Sequence, residues 1–231
     1  MGIFSILLGC LAMKMPVPDK ERMTAMYRAR LAEHGPSPQA LGWTKGKQDL
    51  RFEVLLSPFV TEGCRVLDVG CGLGDLIRKL SGNGHFTYLG VDLVKEFIEL
   101  ARKQHEEEDT EFRAGEFLEM EFDEPFDIVV GSGIFNFALD GMDHEAYVKR
   151  MLGRMLELSR KGVAVDFLSN RVNFEEDHCA HTSPERALAA GLELTRSVRL
   201  RHDYMPFEFA MWLFKDDAYD EADTIFKTQM E

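Results

Sequence analysis

The stretch Arg65-Val66-Leu67-Asp68-Val69-Gly70-Cys71-Gly72-Leu73-Gly74-Asp75-Leu76 constrains this chain more than any other. Its first five residues read as a buried strand, the glycines form a loop, and a helix follows. Strand, glycine loop and helix in that order let backbone approach a small ligand closely and leave helix amides free to face it. A dinucleotide fingerprint requires G-x-G-x-x-G, with its third glycine where the helix packs on the strand. Asp75 occupies that position here. The glycines instead alternate after an acidic residue, as Asp68-x-Gly70-x-Gly72-x-Gly74.

The rest of the pattern repeats the same unit. Strands are expected at Arg65–Val69, Phe86–Val91, Thr110–Arg113, Phe126–Val130 and Gly162–Phe167. Helices fall between them: one from about Asp75 to Leu80, one with Val94, Phe97, Ile98 and Ala101 inward, and one showing Val148, Met151, Leu152, Met155 and Leu156. Phe126–Val130 is apolar but for Asp127, as expected of a parallel strand covered on both faces. Ser183-Pro184 starts a short helix that Gly191 is expected to end. Leu192, Leu194, Val198 and Leu200 then alternate, as do Phe207, Phe209, Met211 and Leu213. Only a few residues around Tyr204-Met205-Pro206 join them, which reads as an antiparallel hairpin. Upstream, Asp19 is placed to cap a helix carrying Met23, Met26, Tyr27 and Leu31, and Phe52, Leu55, Leu56 and Phe59 mark a second helix. The expected organisation is a helical extension or lid at 1–60, a sheet domain at 61–215 and an acidic, helical tail at 216–231.

The phased glycines after Asp68 resemble motif I of the class I S-adenosylmethionine (SAM) dependent methyltransferases, and the resemblance spans roughly Cys64 to Lys215. It implies a Rossmann-like seven-stranded α/β sheet, mostly parallel with an antiparallel terminal hairpin strand and helices on both faces. It also implies SAM as cofactor and S-adenosylhomocysteine (SAH) as product. Asp68 would face the methionine ammonium of SAM, while Gly70, Gly72 and Gly74 pass beneath the cofactor. Asp92 lies about twenty residues beyond the loop, where an acidic side chain can hold both ribose hydroxyls; it can also cap the next helix. Leu93 would pack on the adenine. Gly115-Glu116-Phe117 stands where the family commonly has Gly-Asp and an apolar residue. Glu116 would accept from the adenine amino group and the Phe117 amide would reach a ring nitrogen, although Glu for Asp departs from the pattern. Asp127 to Phe137 matches motif IV, so Ser132 and Gly133 would contact the methionine part, and Phe135 and Asn136 would border the transferred methyl. The N-P-P-[YF] signature of amino-group DNA and protein-glutamine methyltransferases is absent, which argues against those substrates.

An acceptor site is sought in what remains. Leu41-Gly42-Trp43…Gln48…Arg51-Phe52 with Arg201-His202-Asp203-Tyr204…Glu208-Phe209 resembles a little-characterised group of bacterial small-molecule methyltransferases. Gln48 and Arg51 are one turn apart on a helix. Arg51 can bind the SAM carboxylate or an anionic substrate bidentately, or form an exposed ion pair. Trp43 can wall the cleft, stack on the sulfonium or anchor packing. His202 leads as candidate base, with His144 behind it; Asp166 and Asn170 are placed to line the pocket. His178 and His181 are spaced i, i+3, but a zinc site needs three or four convergent ligands and no second pair is visible, so no metal is expected. The segment Glu175–His181 reads instead as a mobile acidic lid loop.

The formal charge is −13, from 27 Lys and Arg against 40 Asp and Glu. Such a surface repels phosphate backbones and anionic lipid, so neither nucleic acid nor membrane is an expected partner. The expected partner is a small-molecule methyl acceptor, and the chain a monomer or homodimer. The 4 cysteines show no C-x-x-C pair, which fits a cytoplasmic location. Ile3–Leu11 is too short for a membrane span. Two other readings stay open: a SAM-binding regulatory or accessory protein without catalysis, and a nicotinamide oxidoreductase, against which Asp75 and the hairpin both count.

Overall fold

In the computed structural model the described residues are 14–43, 47–106 and 109–215. The apolar run at 3–11 and the helical tail expected at 216–231 lie outside them. Strands β1 (Cys64–Val69), β2 (Phe86–Asp92), β3 (Thr110–Ala114), β4 (Phe126–Gly131), β5 (Ser159–Leu168), β6 (Val198–Met205) and β7 (Glu208–Phe214) form one sheet. Its order is β3-β2-β1-β4-β5-β7-β6. The first five strands pair in parallel, and β7 runs antiparallel to both β5 and β6. This is the mostly parallel seven-stranded sheet with a terminal hairpin that the resemblance implied.

Helices α1 (Val17–His34), α2 (Gln48–Leu56), α3 (Ile77–Leu80), α4 (Lys95–Gln104), α5 (His144–Leu158) and α6 (Pro184–Leu192) complete the described elements, with 3-10 turns at Pro38–Leu41, Ser81–Asn83 and Phe117–Glu119. Successive side chains of a strand face opposite sides, and the core divides accordingly. Leu67, Val69, Val129, Val163 and Val165 pack with Val148, Met151, Leu152 and Met155 of α5. On the other face Val66, Ile128, Val130 and Ala164 pack with Phe52 and Leu55 of α2, Ile77 and Leu80 of α3 and Ile98 of α4. Trp212 in β7 donates from Nε1 to Leu55 O at 2.9 Å, tying α2 to the sheet. Asp143 and Ser183 cap α5 and α6 by accepting the Ala146 and Arg186 amides.

Several local expectations are corrected. Helix α1 begins at Val17, before Asp19; the Asp19 carboxylate instead accepts the Asp140 and Gly141 amides at 3.0 and 2.9 Å. It thereby pins α1 to the loop after β4. Helix α3 is a single turn from Ile77, because residues up to Leu76 are still completing the glycine loop. Helix α6 runs through Gly191 to Leu192 rather than ending at the glycine, which is buried beside Val198 and Met211. Leu192 and Leu194 therefore lie outside β6. That strand extends to Met205, so Arg201, His202, Asp203 and Tyr204 sit within it rather than in the hairpin turn, which is Pro206-Phe207.

Candidate active site

A cavity of about 550 Å³ opens at the carboxyl ends of β1, β2 and β4. This is where an open parallel sheet holds a ligand, because strand order reverses between β1 and β4 there. Residues from α1, the 3-10 turn and α2 line its other side.

The glycine loop forms its floor. Gly70, Gly72 and Gly74 have φ of 70°, 54° and 80°, a left-handed region that costs other residues free energy. The loop is also crowded: a Cβ on Gly74 would lie 2.9 Å from the Phe112 ring. Asp92 at the end of β2 braces the loop. Its Oδ2 accepts the Gly72 amide at 2.9 Å and its Oδ1 accepts the Val94 amide at 2.8 Å. Asp92 lines the cavity, but it is not the cap expected for the next helix: the N-cap of α4 is Val94, whose amide the Asp92 carboxylate accepts.

The electrostatics of this end are unbalanced. Asp68 is 4% exposed, and among the described residues its hydrogen-bond donor is Tyr88, whose Oη lies 2.7 Å from Oδ2. No described Lys, Arg or His forms an ion pair with it. Burial pushes its carboxyl up to about 7, against the Tyr88 hydrogen bond and helped by the nearby Asp92 and Asp75 carboxylates. Asp92 is pushed up to about 6, again chiefly by burial. Asp68 is buried and Asp92 partly buried, and among the described residues neither forms an ion pair with a Lys, Arg or His, an arrangement whose charge suits a cationic ligand.

Other expected ligands line the cavity but already have protein partners. Glu116 accepts the Met15 amide at 2.8 Å and pairs with Lys20. The start of the described chain thus occupies the carboxylate expected to meet adenine. The Gly133 amide donates to Asp166 Oδ1 and the Ser132 hydroxyl to Asp166 Oδ2, both at 2.6 Å. That pair pins the β4 loop to β5, and burial pushes Asp166 up to about 6. Asn136 Oδ1 accepts the Leu168 amide at 3.2 Å. Leu93 and Phe117 stand in the wall without such ties.

Arg51 is not the exposed ion pair that its sequence context allowed. It lies 6% exposed in a bidentate pair with Glu208, with Nε 2.6 Å from Oε2 and Nη2 on Oε1. Trp43 lies over the guanidinium, 4.1 Å from ring centroid to Cζ. Trp43 also packs where a Cβ on Gly133 would stand, at 2.8 Å. Gln48 donates to Asp75 at 3.1 Å. Trp43 and α2 are thus fastened to the glycine loop, to the loop after β4 and to β7.

The histidines are redistributed. His202 is held by Ser169, with Nε2 2.8 Å from Oγ, and stacks on Phe209; it is not among the residues lining the cavity. His144 faces Thr182 at 3.2 Å, also away from the lining residues, and burial pushes its pKa down. His181 does line the cavity, its Nδ1 3.0 Å from Ser169 O. Sequence reasoning weighed His181 only as a metal ligand. Glu208 was quoted only as part of a motif, because its partner is 157 residues away.

Comparisons with known proteins agree with this geometry. A family model of the methyltransferase domain matches residues 66–157. A protein of Geobacillus sp. (strain WCH70), named for methyltransferase activity, is 33% identical over 99 residues, covering 42% of this chain and 38% of its own length. The chain thus spans less than half the length of that curated relative. Magnesium protoporphyrin IX methyltransferase from Synechocystis PCC 6803 with bound SAM superposes with a TM-score of 0.62 at 12% identity, over 88% of this chain and 100% of that one. The DhpI–SAH complex gives 0.61 at 18% identity, over 84% and 95%. At such identities these two structures establish a shared fold.

Proposed function

We propose that this chain, whose residues 66–157 match a methyltransferase-domain family model, is a class I SAM-dependent methyltransferase that transfers the methyl group of SAM directly to a small-molecule acceptor. The observation that carries the proposal is the buried Asp68 carboxylate, set above a left-handed glycine loop with no cationic partner of its own. SAM brings both an ammonium and a sulfonium, so its charge fits this site. Asp68 would meet the ammonium, the glycine loop would run beneath the amino-acid part, and Asp92 would hold the ribose with lone pairs its two amide bonds leave free. Leu93 and Phe117 would flank the adenine. Glu116 can receive the adenine amino group only by sharing or releasing Met15 and Lys20.

SAM supplies an electrophilic methyl carbon when bound. This chain's residues then need to orient an acceptor and exclude water, which accounts for a deep cavity closed on one side by α1 and the Trp43 region. Neighbours of like fold act on small molecules by name, including a magnesium porphyrin, and the chain's acidity disfavours nucleic acid. A cytoplasmic location is proposed with it: Cys64, Cys71 and Cys179 are unpaired. No described helix is long and apolar enough to cross a membrane.

The test is calorimetric titration with SAH beside the Asp92→Ala variant. Binding by the wild-type chain that the variant loses supports the site as assigned. A wild-type chain that binds neither SAH nor SAM defeats the proposal. A chain that binds both but transfers no methyl group to any acceptor would favour a SAM-binding accessory protein.

A further inference from the structure

Helix α1 turns one face to the cavity. Met23, Met26, Tyr27, Arg30 and His34 all line it, recurring at the three- and four-residue spacings of one helical stripe. Arg30 therefore leaves the helix on its cavity side, where it is partly buried. Its guanidinium stands over the Tyr27 ring, with Cζ 5.7 Å from the centroid. A Cβ on Gly42 would lie 2.9 Å from its Nη1, so the glycine leaves the group its room.

The charge of Arg30 is unmatched. The chain holds 40 Asp and Glu against 27 Lys and Arg, and the other arginines of α1 are paired, Arg22 with Asp19 at 2.8 Å and Arg28 with Glu96 at 2.7 Å. Arg51, the second arginine of the lining, is matched by Glu208. Arg30 forms no ion pair with a described residue and donates no hydrogen bond to one. Glu176, on the β5–α6 connection, also lines the cavity but lies 3.4 Å from His178 instead. A guanidinium carries five N–H donors in one plane, and a ring beneath it satisfies none of them. These donors remain for an anion.

The electrostatics separate this anion site from the amino-acid end of the cofactor. The ammonium and carboxylate of methionine share one carbon, so a group that holds that carboxylate must stand close to Asp68. The charges acting on Asp68 are those of Asp92 and Asp75, and Arg30 is not among them. Arg30 does act on Cys179, opposing the burial that pushes the thiol up, so its field reaches the β5–α6 connection. Phe174 on that connection is 57% exposed, with its ring 6.2 Å from that of Phe207, and both line the cavity. An exposed aromatic pair beside a cavity is a surface for an apolar group.

Resting on the methyltransferase reading, we propose that Arg30 is the specificity residue for the acceptor, and that the acceptor is a carboxylate monoanion with an apolar body. A carboxylate matches the guanidinium fork, and one negative charge balances one positive charge. The described lining holds no lysine and already carries Asp68, Asp92 and Glu176. A phosphate dianion would add a second, unbalanced charge to it. The carboxylate is the anchor, and the methyl group goes to another atom of the acceptor.

The test uses the full chain loaded with SAH. It is titrated with benzoate, phenylacetate and hexanoate, and with benzamide, phenylacetamide and hexanamide, so that each pair shares a body and differs in charge. The wild type should bind at least one acid about tenfold or more tighter than its amide. Arg30→Gln should lose that preference. Arg30→Lys should keep part of it, because lysine retains the charge without the fork. SAH affinity and melting temperature should match the wild type in both variants, which separates lost recognition from lost folding. A wild type that binds none of the acids, or binds acid and amide alike, overturns the proposal. So does Arg30→Gln with the preference intact. A variant that loses SAH affinity while its acid preference stands also overturns it, and assigns Arg30 to the carboxylate of the cofactor. Absence of SAH binding by the wild type would instead defeat the methyltransferase reading.

Discussion

If Asp68 receives the ammonium of the cofactor, affinity must depend on its ionisation, and the structure gives the size of that dependence. The perturbation is a fall in pH from about 8 to about 6. Burial holds Asp68 near 7 in the free protein, so protonated and ionised forms interchange within this window. Only the carboxylate attracts the ammonium, and a bound ammonium favours the charged form in turn. The apparent Kd therefore rises by one plus the ratio of protonated to ionised Asp68, which is roughly 10-fold across the window. Asp92, held near 6, contributes roughly a further 2-fold. The expected total is about 20-fold weaker SAH binding at the lower pH. Isothermal titration in buffers of different ionisation enthalpy would also register proton release on binding near pH 6. Asp68→Asn should bind more weakly at the upper pH and retain only the roughly 2-fold dependence from Asp92. A wild-type Kd that stays flat across the window, or an Asp68→Asn protein with the full slope, would refute the assignment of Asp68 to the ammonium.

The same carboxylate burdens the free protein. Its folded pKa, near 7, exceeds the ordinary value of an unfolded Asp, so stability is greatest below about pH 4 for this group and falls as pH rises towards 7; the full cost is about 4 kcal/mol. Asp68→Asn should therefore unfold at higher urea at pH 8 than the wild type, and equal or lower midpoints would contradict the burial argument. For the Arg51–Glu208 pair, removing either partner leaves a buried charge, so Arg51→Met or Glu208→Leu alone should cost about 3–5 kcal/mol. The double variant should recover most of that loss, and denaturation of the four proteins in a double-mutant cycle checks it. Gly74→Ala must adopt φ near 80° with a Cβ 2.9 Å from Phe112. A loss of about 1–3 kcal/mol is expected, together with weakened SAH binding; unchanged melting and affinity would show that the loop tolerates a side chain.

Most of the sheet was legible because its signals are local. Largely apolar segments marked β1 and β4, alternation marked β7, and glycine spacing marked the loop. Boundaries slipped where a neighbour decided them. Gly191 looks like a stop, yet it lies buried inside α6 beside Val198 and Met211. Asp19 looks like a cap, yet its carboxylate is taken by the Asp140 and Gly141 amides.

By itself the sequence determined the strand–glycine loop–helix unit, the order of the α/β repeats and the acid at the end of β2. Each follows from backbone freedom, periodicity and short spacings along one segment. Tertiary structure alone decided which charges meet and which stay unmet. Arg51 pairs with Glu208 across 157 residues, Glu116 closes on Met15 and Lys20, and Asp68 stays buried without a cation. It likewise turned His202 onto Ser169 and set His181 in the cavity wall. Ionisation, desolvation and hydrogen-bond satisfaction depend on what surrounds a group in space, and a list of residue types carries no such distances.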